Sequence, residues 1–120
     1  ANLWEADLVV SIHADAFHKI TAKGISTHVH PRSSLDTRIL ARWVQAKLIE
    51  NFVNHVNRGI RESDFHILRE TEMPAILVEC EFLSNPETRR FLREPENQLG
   101  LAKAISNGIN LYAEGESSEI

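Results

Sequence analysis

The sequence predicts an α/β fold: a central, mostly parallel twisted sheet flanked by helices. Three observations carry this. Residues 8–13 (LVVSIH) and 75–79 (AILVE) are short apolar runs of the kind found in strands covered on both faces. Between them, residues 35–53 repeat apolar side chains close to i, i+4, i+8 spacing, the stripe of a long helix packed on a sheet. Strand and helix patterns alternate along the chain in the order strand, strand, helix, strand, strand, helix, helix.

The first strand covers 8–13, and 14–23 form a loop closed by Gly24. Residues 25–30 set Ile25, Thr27 and Val29 against Ser26, His28 and His30, the period of a half-exposed strand, and Pro31 ends it. Ser33 and Ser34 offer N-caps to the next helix, with Asp36 as a capping-box partner for Ser33. The helical stripe of Leu35, Ile39, Leu40, Trp43, Val44, Leu48, Phe52 and Val53 fades at 54–57, and Gly59 marks a turn. Residues 65–68 read as a short strand, and Glu72-Met73-Pro74 is a break before the buried strand at 75–79. Asn85 is the expected N-cap and Pro86 the first residue of a short helix running to about Arg93. Pro95 interrupts it, and a last helix shows Leu101, Ala102, Ile105, Ile109 and Tyr112 on one face until Gly115.

With 120 residues, 42% hydrophobic and 25% charged, the chain has the composition of one soluble globular domain with its own core. A net charge of -4 with both signs interspersed argues against a nucleic-acid partner, which wants a basic face. No apolar stretch approaches the ~20 residues of a membrane span. A single cysteine, Cys80, excludes an internal disulfide but leaves the compartment open, and it reads as a buried structural thiol. The start at Ala1, without Met or a signal peptide, reads as processing or as a fragment of something longer.

His13 and Glu79 are the candidates for chemistry. Each ends an apolar strand, and in open α/β sheets ligands bind outside the carboxyl ends of strands. An imidazole and a carboxylate converging there are the minimum equipment of a metal-assisted hydrolase: a ligand and a general base. Desolvation at a strand end is expected to raise the pKa of Glu79, which suits a base that later returns its proton. The bland alternatives are a hydrogen-bonded strand-end His13 and a Glu79 that is solvated or paired with an arginine. Asp15 either orients His13 or caps a loop. Glu81 is either a second acid or surface. The His28-x-His30 pair has a metal-ligand spacing, with an exposed strand face as the favoured alternative. His18, His55 and His66 read as surface or edge residues.

Residues 6–15 (ADLVVSIHAD) resemble the "AD-x-x-SIHAN/D" segment of the zinc-dependent N-acetylmuramoyl-L-alanine amidases of bacterial cell-wall turnover. Residues 57–60 (NRGI), 65–71 (FHILRET), 73–79 (MPAILVE) and 82–85 (FLSN) match that family in order and spacing, so the resemblance runs from residue 1 to about Tyr112. It implies hydrolysis of the amide between N-acetylmuramic acid and L-alanine of peptidoglycan, with one Zn2+ held by two His and one Glu. His13 matches the last of those ligands, and Glu79 the glutamate that activates the metal-bound water. The family's first His and its ligand Glu have no counterpart here, and Glu81 stands where the family usually has Gly. Residues 1–113 are therefore read as the C-terminal two-thirds of an amidase catalytic domain, lacking N-terminal strands, and 114–120 as a flexible tail.

Several expectations follow from the resemblance. The isolated chain is expected to be inactive or metal-poor. An open sheet edge is expected to favour self-association or strand exchange. An extracytoplasmic location is implied. Two rival readings are a non-catalytic module that binds peptidoglycan or a partner protein, and a different metal site built from His13, His28 and His30.

Overall fold

The computed structural model describes residues 6–70 and 73–115. Their elements are β1 (Val9–Asp15), β2 (Ile25–Val29), α1 (Leu35–Asn51), β3 (Asn57–Glu62), α2 (His66–Arg69), β4 (Ala75–Phe82), α3 (Pro86–Arg93) and α4 (Pro95–Ala113). Of the expected tail at 114–120, Glu114 is the C-cap of α4, and residues 116–120, like Glu72 of the expected break, lie outside the described residues.

The four strands form one sheet in the order β1-β4-β2-β3. β1 runs parallel to β4 and β2 parallel to β3, while β2 and β4 are antiparallel. The sheet is thus mixed at its centre and parallel in its outer pairs. The β1–β4 register sets His13 opposite Glu79, and the β2–β4 register sets Ser26 opposite Glu79. Side chains alternate across a strand, so one face carries Ile25, Val29, Ile76, Val78 and Cys80. Those residues form the main core with Leu40, Ala41, Val44 and Leu48 of α1 and Leu101, Ala104 and Ile105 of α4. The opposite face holds a small apolar cluster of Leu68, Ala75 and Leu77 at one end. Its other end carries the polar groups described below.

Capping sets the helix starts. Ser34, rather than Ser33, caps α1, its hydroxyl accepting from the Thr37 N–H. The Ser33 hydroxyl is buried with no hydrogen-bond partner among the described residues. Asn85 caps α3 as expected, accepting from the N–H groups of Glu87 and Thr88, with Pro86 in the first turn. The buried face of α1 is narrower than the apolar stripe: Leu35 and Val53 are 68% and 73% exposed, whereas Thr37 and Gln45 are buried. Gln45 is held by the Thr27 hydroxyl and donates to the Ile25 carbonyl and to Asn57.

The other local expectations need correction. β2 is buried along its whole length rather than half-exposed, because its polar face is satisfied internally by hydrogen bonds. Residues 66–69 form a helical turn, not a strand, and the strand lies at 57–62 instead. Gly59 makes no chain reversal. It sits inside β3 at φ 72°, with Asn57 Oδ1 accepting its N–H. The β2–β3 register steps from Asn57 to Gly59 against consecutive residues of β2, so Arg58 is the extra residue of a bulge.

α1 and α4 cross closely at Gly108. A Cβ there would meet Val44 Cα at 2.6 Å and Val44 N at 2.9 Å. Alanine is the better helix former by about 1 kcal/mol, but backbone cannot yield as a side chain does. Gly108→Ala is expected to destabilise the fold by ~1–3 kcal/mol, read from the urea midpoint. An unchanged or raised midpoint would contradict this packing.

Candidate active site

Glu79, the fifth residue of β4, is 5% exposed. Asp15 ends β1 beside it, on the face that also carries His13, and its carboxyl is hydrogen-bonded to Glu79. His28 of β2 is 6% exposed, with Nε2 3.5 Å from Glu79 Oε2 and 3.0 Å from Ser26 Oγ. Its Nδ1 lies 2.7 Å from Ser63 Oγ. An ionised carboxylate only accepts, so Nε2 carries a proton where the ring faces Glu79. The β3 bulge sends Arg58 over the Phe82 ring, 5.0 Å from its centroid, with Nη1 3.8 Å from Glu79 Oε1.

These neighbours reverse the expected pKa of Glu79. Burial pushes it up, but hydrogen bonds from His28 and Asp15 and the charges of His28 and Arg58 outweigh that and hold it below its ordinary 4.5. Asp15 moves the other way: burial, the charge of Glu79 and the hydrogen bond to Glu79 raise it above 3.8. The two neighbouring carboxyls thus shift in opposite directions, Asp15 up and Glu79 down.

His13 lies opposite Glu79 in register but is exposed, and its Nε2 is 2.8 Å from Ser11 Oγ. Ser11, two residues back on the same face, orients the ring. Asp15 points to Glu79 instead of serving His13. His30 pairs with Asp64 at 3.1 Å, away from the Glu79 cluster. No group of three or more His, Cys, Asp or Glu side chains among the described residues could hold a metal, which removes a site built from His13, His28 and His30. Cys80 is buried on the apolar face, and burial pushes its thiol up to about 12, as fits a structural cysteine.

Glu81 is neither surface nor a second acid beside Glu79. It adopts φ 76° and is 1% exposed. Its Oε1 accepts from the Gly24 N–H at 2.6 Å, and its Oε2 pairs with His55 Nδ1 at 2.5 Å. The β1–β4 register shifts between His13 and Asp15, from Glu79 to Phe82, so Glu81 sits in a second bulge. His55 is accordingly a partner of a buried charge, packed against the rings of Phe52 and Phe91, rather than a surface residue. His18 and His66 are exposed, as expected.

Sequence reasoning placed Glu79 but missed its partners. His28 read as surface because strand alternation does not reveal that the polar face is covered. Arg58 is only one residue of a motif until the bulge aims it.

His28→Leu tests the network. Glu79 would lose a donor, at a cost of about 1–3 kcal/mol, and its titration midpoint would rise. A depressed carboxylate pKa stabilises the fold above the unfolded value and loses that contribution as pH falls through the folded value. The stability gap between wild type and variant is therefore expected to be widest above pH 4.5 and to shrink in acid. An unmoved Glu79 midpoint by carboxyl NMR would contradict the assignment.

The family described as N-acetylmuramoyl-L-alanine amidase matches residues 1–111. The chain is 34% identical over 113 residues to a Bacillus subtilis protein called "Uncharacterized protein YqiI", covering 93% of this chain and 54% of that one. It is 31% identical over 111 residues to the Staphylococcus aureus protein called "Probable cell wall amidase LytH", covering 90% of this chain and 36% of that one. A solved N-acetylmuramoyl-L-alanine amidase from Clostridium difficile 630 superposes with a TM-score of 0.90 at 36% identity, over 97% of this chain and 62% of that one. The fold is therefore shared with a solved N-acetylmuramoyl-L-alanine amidase. The chain belongs to the N-acetylmuramoyl-L-alanine amidase family, and it spans about half or less of the curated relatives it matches.

Proposed function

We propose that the chain supplies the general base and one metal ligand for zinc-dependent hydrolysis of the amide between N-acetylmuramic acid and L-alanine in peptidoglycan. The observation that carries this reading is a buried carboxylate, Glu79, held ionised beside a second carboxyl and opposite an accessible imidazole.

His13 fits a metal ligand in part. It is accessible, and with one nitrogen held by Ser11 the other is left to coordinate. A mononuclear catalytic site takes three protein ligands, so this reading draws the other two from outside the described residues. When bound, zinc polarises the scissile carbonyl and acidifies water. Glu79 would take a proton from the attacking water and deliver it to the departing amine of alanine. Asp15 stands beside Glu79, with burial and the neighbouring carboxylate holding its own pKa above the ordinary value. His28 lies against one carboxylate oxygen, and Arg58 adds a positive charge 3.8 Å from the other.

The reading places the protein outside the cytoplasm, at the wall. No helix among the described residues is long and apolar enough to cross a membrane. β1 is an edge strand of the sheet, with Ile12 57% exposed, and self-association through it is the accompanying expectation. A monomer at micromolar concentration would count against that expectation.

The test is turnover by the native gene product that carries this chain, with a muramoyl-L-alanyl peptide as substrate and the new alanine amine as readout. Zinc-dependent release supports the proposal. Binding of wall fragments without release would favour a module that does no chemistry.

A further inference from the structure

Beside Glu79 lies a groove that meets the site described above at Arg58. It occupies about 390 Å³ at the carboxyl ends of β1 and β4, between Phe17, Thr21, Lys23, Arg58 and Phe82. Arg58 joins the groove to the site, since the same guanidinium that nears Glu79 also covers Phe82. Its 3.8 Å separation from Glu79 exceeds a hydrogen-bond length, so its donors remain available to an incoming acceptor. Lys23, which is exposed, lines the same groove, and none of the lining residues is acidic. The loop 16–23 (AFHKITAK) carries two lysines, one histidine and no acid. The face is therefore locally cationic in a chain whose net charge is -4.

We infer that this groove binds a carboxylate on the peptide side of the scissile amide, held between Arg58 and Lys23, with the exposed Phe17 ring covering the adjacent apolar segment. The inference rests on the amidase reading for the identity of the substrate. Charge chooses the occupant. The sugar side of the amide is neutral, whereas the peptide beyond L-alanine carries free carboxylates. A guanidinium whose plane is set by an aromatic ring suits bidentate recognition of a carboxylate, and the lysine adds a point charge.

Binding tests this without turnover. The native gene product that carries this chain, stripped of zinc, is titrated with two ligands: a muramoyl-L-alanyl dipeptide whose second residue carries a free carboxylate, and the same compound as its carboxamide. The carboxylate form is expected to bind about tenfold more tightly at low salt, and added salt to narrow the ratio. Lys23→Gln, a surface change, should reduce the preference, and Arg58→Gln should erase it, with amide shifts at Phe17 and Phe82 reporting the groove. Equal affinities for the two forms, or a preference unmoved by Lys23→Gln and Arg58→Gln, would overturn the inference while leaving the amidase reading intact. Absence of binding by either form would also overturn it. A carboxylate preference together with failed hydrolysis by the native gene product would instead fault the amidase reading alone.

Discussion

Replacing Glu79 by Gln lowers hydrolysis of a muramoyl-L-alanyl peptide by ~10²–10⁴-fold, the range of a lost general base. Gln keeps the shape and one acceptor oxygen, enough for the donor of either His28 or Arg58, so the fold and the bound zinc are expected to survive. What it cannot do is accept a proton. The loss should therefore fall on kcat, with KM little changed. Asp15 gives an independent check. The charge of Glu79 is among the causes holding Asp15 above its ordinary value, so the neutral amide should let Asp15 ionise at lower pH. A variant that retains turnover within a few fold of wild type would remove Glu79 from the base role.

Glu81→Ala is the most damaging single change to stability near the site, with an expected cost of about 3–5 kcal/mol. The carboxylate lost is 1% exposed and satisfies two groups, the Gly24 N–H and His55. Without it, a buried N–H and a partly buried imidazole lose their acceptor, and the anchor between β4 and the loop entering β2 is gone. Backbone strain separates this from a second variant. Glu81 sits at φ 76°, where a residue with a Cβ pays ~1–2 kcal/mol that glycine does not. Glu81→Gly is therefore expected to be less destabilised than Glu81→Ala by about 1 kcal/mol, measured by denaturant unfolding. Equal losses would deny the strain; a loss under 1 kcal/mol in both would deny the anchor.

That residue shows where sequence reading succeeds and where it stops. The family resemblance marked position 81 as one that usually takes Gly, and the positive φ is the reason. The resemblance could not show that a Glu tolerates the strain because its carboxylate is matched by His55, 26 residues earlier in the chain. The apolar strands, the long helix and both caps at Ser34 and Asn85 were legible, because period and capping chemistry are local properties. β3 was not, because a bulge with Gly59 in the left-handed region looks like a turn in sequence. The pKa direction of Glu79 was also hidden, since burial acts at the residue itself while His28, Asp15 and Arg58 arrive from three other strands through register and bulge.

The most direct test of the central claim measures zinc content and turnover together in the native gene product, for wild type, His13→Ala and Glu79→Gln. The account predicts about one zinc per chain in wild type and in Glu79→Gln, loss of zinc in His13→Ala, and turnover in wild type alone. Zinc kept by His13→Ala, or turnover kept by Glu79→Gln, would contradict it.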